Sequence, residues 1–254
     1  MTSKAQAYQA LISDVKEHYI EQGELHKNEP VYLTWYENCQ EINLWTYWQG
    51  RGNLDARIMF VGQDWGSTAD CSELYLAQFA EINTGRRSSY WLDGFSITDN
   101  NLVKLFSSLG YNISSGAPRN PDLFFTNFVL GYRNKGFSGK NTSRWFNECK
   151  DFFSRLVNII EPKVVICLGR HTFRGVMMAF EQKVKIGNYN AFITGRDNPV
   201  SVTLSSGQKA YVFAVAHCGA MGTLNRNRLK NLDGATGIDL QVKDWARIKE
   251  YLMD

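Results

Sequence analysis

Arg57-Ile58-Met59-Phe60-Val61-Gly62-Gln63-Asp64 is an apolar run that stops abruptly at a glycine, a carboxamide and a carboxylate. The run is too short for a helix, and it predicts a strand from Arg57 to Val61 with polar groups at its carboxyl end. Two more runs end in the same way. Leu123-Phe124-Phe125-Thr126 runs into Asn127, and Tyr211-Val212-Phe213-Ala214-Val215-Ala216 runs into His217. A further strand, Lys163 to Leu168, is unbroken apolar sequence of the kind buried on both faces, and it leads into Gly169. Helical spacing separates these runs. It predicts helices from Asp99 to Leu109, from Ser143 to Ile160 before Pro162, and from His171 to Phe180. A last helix carries Val242, Trp245, Ile248 and Leu252, while residues 191–204 read as irregular or short strand structure. Alternating strands and helices predict an α/β fold, a three-layer α/β/α sandwich around a central, mostly parallel four-stranded sheet. Ligands of such sheets collect at the carboxyl ends of the strands, so the three polar endings are expected to face one pocket.

Composition narrows the class. The chain has 254 residues, 44% hydrophobic and 21% charged, which suits a globular protein with a substantial core. No repeat or linker divides it, so one domain over residues 1–254 is expected. Residues 1–55 form a helical and aromatic extension packed on that domain. Tyr8, Ile12, Val15 and Tyr19 give its helix an apolar face, with Thr2 or Ser3 as the cap. No apolar stretch approaches the ~20 residues that span a bilayer, and Met1 to Gln6 lack a secretory core. The five cysteines are unpaired in spacing, with no C-x-x-C, which argues for a reducing compartment and against a structural metal. An intracellular, cytoplasmic monomer without metal or organic cofactor is expected. The net charge of +3 neither demands nor forbids nucleic acid.

Residue by residue, each polar ending has a bland reading beside a chemical one. Asp64 after a strand is either a cap or a catalytic carboxylate. Asn127 is either a satisfied turn residue or a hydrogen-bonding reader of a ligand edge. His217 is either a buried structural imidazole or a donor to a substrate. A thiol nucleophile built on His217-Cys218 is disfavoured, because neighbours on a strand point to opposite faces. Gly169-Arg170-His171-Thr172 lacks the phosphate-loop pattern.

Taken in order, the motifs resemble those of the uracil-DNA glycosylase superfamily. Gly62-Gln63-Asp64 resembles its first active-site motif. Gly94-Phe95-Ser96-Ile97 resembles the segment whose ring stacks on the extruded base, Phe125-Thr126-Asn127 the strand-ending asparagine, Pro162 to Gly169 the third strand, and His217 the start of the last motif. Two departures stand out. Trp65-Gly66 replaces the proline–tyrosine whose ring excludes thymine, and Cys218-Gly219 replaces proline–serine. The resemblance implies hydrolysis of the N-glycosidic bond of uracil, or of a related deaminated or mismatched base, in DNA during base-excision repair. Asp64 would stabilise the cation-like sugar and direct water, and His217 would stabilise the departing base. Gly62, Gln63, Trp65, Gly66, Phe95 and Asn127 would line the base pocket. Met221 and Leu224 would wedge the duplex, with Arg226, Arg228 and Lys230 on phosphates, as also Arg133, Lys135 and Lys140. Two other outcomes stay open: a catalytically silent member that binds nucleic acid or a free nucleobase, and a hydrolase of free nucleosides.

Overall fold

The computed structural model describes residues 3–35, 53–64, 97–114, 117, 120–135, 142–227 and 237–253. In chain order the elements are α1 (Lys4–His26), β1 (Leu33–Thr34), β2 (Ile58–Gly62), α2 (Ile97–Leu109), β3 (Leu123–Asn127), β4 (Tyr132–Arg133) and α3 (Thr142–Ile160). There follow β5 (Val164–Leu168), α4 (Arg170–Ala179), α5 (Tyr189–Thr194), β6 (Val200–Thr203), β7 (Lys209–Val215), α6 (Ala220–Asn227), α7 (Gly237–Ala246) and a 3₁₀ turn (Arg247–Tyr251).

The main sheet has the order β3-β2-β5-β7-β6, parallel throughout except for β6, which pairs antiparallel with β7. It therefore has five strands where the sequence predicts four. The extra strand is the edge strand β6, whose burial alternates and which begins directly after Pro199. Proline is tolerated there because an edge strand does not need every N–H. By contrast β2, β3 and β5 are buried at every position, which is why each reads as an uninterrupted apolar run.

Alternate residues of these strands serve opposite layers. Phe60 and Phe125 turn towards α2 and α7, where their rings meet Phe106, and Phe60 also meets Trp245. Phe124 faces the other way and meets Tyr8 of α1 edge-on. The second layer is completed by α3 and α4; Phe128, just past β3, packs against Phe146 and Phe153 of α3. A sheet covered by helices on both faces is the three-layer sandwich expected.

The described part of the N-terminal segment belongs to this core. Ser3 caps α1 through a capping box with Gln6, and Tyr8, Leu11, Ile12, Val15 and Tyr19 join the same buried cluster as the sheet. Its short strand β1 pairs antiparallel with β4, Leu33 opposite Arg133 and Thr34 opposite Tyr132. No helix among the described residues is long and apolar enough to cross a membrane.

Candidate active site

The order β3-β2-β5 places a topological switch at β2, since the chain leaves it towards one neighbour and later returns on the other side. All four parallel strands end on one edge, so Asp64, Asn127 and His217 gather there from far apart in sequence. Gly62 sits opposite Asn127 in register, and Leu168 sits opposite Val215. Backbone pairing continues past the strand ends, where Phe128 N–H donates to Gly62 O at 2.9 Å and Val129 N–H to Gln63 O at 3.0 Å. This extension locks the Asp64 and Asn127 turns side by side. Strands β2 and β7 are two steps apart, which separates their exits by about 10 Å. Between them β5 ends at Leu168 and passes into Gly169, whose φ of +93° favours glycine and whose missing side chain brings the chain close to His217.

Asn127 is fully buried, and neither its Nδ2 nor its Oδ1 has a hydrogen-bond partner. The turn-residue reading is therefore wrong: a satisfied turn asparagine would spend its carboxamide on the backbone. Leaving such a group dry and unpaired costs about 1–3 kcal/mol, a penalty that a bound partner would remove.

Asp64 is also withdrawn from water, its side chain 9% exposed. Its Oδ1 accepts from Arg133 Nε at 3.0 Å, and its Oδ2 accepts from the neighbouring Gln63 Nε2 at 3.0 Å. The carboxylate is held from both sides in a fixed plane.

His217 follows β7 by two residues and is fixed by backbone rather than by charge. Its Nδ1 accepts the Gly219 N–H at 3.0 Å, so the neutral ring carries its proton on Nε2 and offers a donor. The residue is exposed at the surface, yet the protein packed around the ring desolvates part of it and pushes its pKa below 6.5, favouring the neutral form. Its carbonyl accepts from the buried Gln241 Nε2 of α7 at 3.3 Å. Gly222 of α6 lies so close that a Cβ there would collide with the His217 backbone. Asn101 of α2 donates to Cys218 O at 2.7 Å, docking the same loop on the opposite element.

The family model described as the Uracil DNA glycosylase superfamily matches residues 49–233. The chain belongs to that superfamily. A search of the curated proteins found no match. Within the glycosylase frame, the structure sorts the expected site residues into three sets. Gly62, Gln63, Asp64, Asn127 and His217 share the carboxyl edge of the sheet. Trp65, Gly66, Phe95 and Arg228, with Lys140 and Lys230, lie outside the described residues. Met221 and Leu224 stand on α6 just beyond His217, 66% and 56% exposed, as a surface wedge would be.

Two expectations are corrected. Arg226 does not face phosphate. It is 3% exposed and makes a bidentate ion pair with Asp244 at 2.7 Å for both bonds, pinning α6 to α7. Arg133 likewise turns inward to Asp64, while its neighbour Lys135 is exposed. The supporting residues Gln241 and Gly222 had no local signal of their own, whereas Asn101-Leu102 follows the Gly94-Phe95-Ser96-Ile97 segment and matches the start of the next helix in the resemblance. The one signal that could have found that packing is the pair of glycines, Gly219 and Gly222, shortly after His217.

Proposed function

We propose that this superfamily member is a DNA glycosylase that hydrolyses the N-glycosidic bond of uracil, or of a related deaminated or mismatched base, leaving an abasic site for base-excision repair. The observation that carries the reading is Asn127: a buried, unsatisfied carboxamide on the strand edge that also bears Asp64 and His217. An amide can accept from uracil N3–H and donate to O4 at once, whereas cytosine presents the reverse pattern.

In this reading the base is turned out of the helix, at a cost of a few kcal/mol, and Met221 and Leu224 fill the gap it leaves. As the bond between the sugar and the base lengthens, positive charge grows on the sugar and negative charge on the base. Asp64 faces the sugar, stabilises the cationic centre and directs water to it. His217 Nε2–H donates to the base carbonyl oxygen that takes up the negative charge, and N–H groups near Gly62-Gln63 assist. Water oxygen bonds to the anomeric carbon, its proton is released, and the base leaves as an anion that is then protonated. A neutral donor suits this step, because it stabilises the anion without first repelling the growing charge on the sugar. Phe95 would stack on the base, and Arg228 and exposed lysines such as Lys135 would meet phosphate. The protein would act as a single domain and as a monomer in the cytoplasm, without metal or cofactor.

One observation favours a second reading. The Arg133 guanidinium beside Asp64 offsets part of the negative field that a sugar cation needs. A member silenced in this way would bind nucleic acid or a free nucleobase without cleavage. Incubation with uracil-containing single- and double-stranded oligonucleotides, followed by alkaline treatment, separates the two. Strand breaks that depend on Asp64 support the glycosylase. Salt-sensitive binding with no breaks on uracil, hypoxanthine, xanthine or G·T substrates overturns it in favour of the silent binder.

A further inference from the structure

We infer that Arg133 is a positioning residue for Asp64, and that the N-terminal segment, which precedes the family-matched region, supplies the scaffold that holds it there. The inference rests on the glycosylase reading and goes beyond it by bringing residues 3–35 into the catalytic apparatus.

The physical path is short. After Asn127 the chain turns at Gly131 and returns as β4, which carries Arg133. That return strand is paired with β1 from the N-terminal segment, Leu33 opposite Arg133. The pairing is reinforced beyond its end, since Tyr32 N–H donates to Asn134 Oδ1 at 2.9 Å and Asn134 N–H donates to Tyr32 O at 3.0 Å. Below the turn, the ring of Tyr19 from α1 presses against Gly131, leaving a Cβ there only 2.5 Å from the ring. Tyr19 is itself fully buried and bonded to Cys149 of α3. The turn before Arg133 is therefore seated on α1, and the strand bearing Arg133 is zipped to β1. From that base Arg133 Nε donates to Asp64 Oδ1 at 3.0 Å, with the two side chains 11% and 9% exposed.

This geometry answers a need. Gln63, one residue before Asp64, donates to Oδ2, and Arg133 donates to Oδ1. A carboxylate that loses a planar donor is freer to swing, and a misplacement near 1 Å at a reacting centre costs on the order of 100-fold in rate. The planar Nε–H of Arg133 fixes Oδ1 in a set direction. A phosphate contact, by contrast, would require an outward guanidinium.

The test uses full-length protein and a uracil-containing oligonucleotide. Arg133→Met is expected to lower kcat by about 100-fold while DNA Kd and the salt slope of binding stay as in wild type. Arg133→Lys, which keeps the charge without the planar donor, is expected to fall between the two and guards against a misfolded Met variant. In the Asp64→Asn background, Arg133→Met should cost nothing more, because the residue acts through Asp64. Asn134→Ala, which loosens the β1–β4 pairing, should lower kcat by a smaller factor at unchanged Kd. Losses that appear in Kd with a salt slope reduced by about one would make Arg133 a phosphate contact and overturn the inference. Losses that multiply with Asp64→Asn would also overturn it, as would an Asn134→Ala protein with wild-type kcat. A wild-type protein that cleaves nothing sinks the glycosylase reading itself, an outcome distinct from active wild type with indifferent Arg133.

Discussion

The two flanks of the strand edge are built on different principles. On the β2–β3 flank, Asp64 is held by side chains, Arg133 and Gln63, and beside it Asn127 is left without a partner. On the β7 flank, His217 is held by uncharged groups: the Gly219 main-chain N–H fixes its ring, the Gln241 side chain its carbonyl, and Gly222 lets α6 pack close against it. The first flank concentrates charge and unsatisfied polarity, which in the proposed reaction would recognise the base and direct the attack. The second offers a neutral donor whose direction is set by the Gly219 N–H, and in the proposed reaction it would receive the developing anion. The flank built on charged side chains should respond to chemically conservative substitutions, whereas the flank packed against Gly222 should respond to bulk.

The most severe break is expected on the charged flank. Asp64→Asn, nearly isosteric, should lower kcat by about 1,000-fold with DNA affinity retained, measured by single-turnover cleavage; unchanged turnover would remove Asp64 from its role. Next comes the ion pair under the other flank. Arg226→Met leaves Asp244 buried and unpaired, and should cost about 3–5 kcal/mol in a denaturant melt while leaving the salt dependence of DNA binding untouched. A reduced salt slope would return Arg226 to the DNA surface. Smaller, and opposite in sign, is Asn127→Leu. It removes a buried amide that bonds to nothing, and should stabilise the free protein by about 1 kcal/mol while abolishing base selection, read from the unfolding midpoint and from cleavage.

The least effect is that of pH on the His217 flank. Because burial lowers the folded-state pKa, the unfolded chain binds more protons as pH falls below 6.5, and stability declines in that window. The contribution is fully present above pH 6.5 and is lost on acidification through the depressed value. His217→Gln should flatten that part of the curve; the buried face of His18, whose pKa burial also lowers, accounts for slope that remains.

Much of this architecture was legible because strands buried on both faces leave an unbroken apolar signature. Ile58–Gly62, Leu123–Asn127 and Val164–Leu168 were readable for that reason, and the polar residues at their ends marked the edge. The edge strand Val200–Thr203 was legible only as irregular or short strand structure, since a half-exposed strand of four residues after a proline resembles a loop. Arg226 and Arg228 look alike as sequence, two basic residues on a short amphipathic stretch. Nothing local tells that Arg226 has a buried carboxylate waiting 18 residues further on. Arg133 misled for the same reason: a basic residue in a glycine-rich loop reads as a phosphate contact until the return strand turns it inward.

What the chain alone determined was the alternation of apolar runs and helical faces, and with it the sheet, its covering layers and the family motifs at the strand ends. Those features depend on local periodicity and burial, which are written in consecutive residues. What only the folded molecule decided was pairing across distance: that Asp64 meets Arg133, that Arg226 meets Asp244, that Asn127 meets nothing. Hydrogen bonds and ion pairs are short-ranged and directional, so their partners are set by where the backbone carries each side chain.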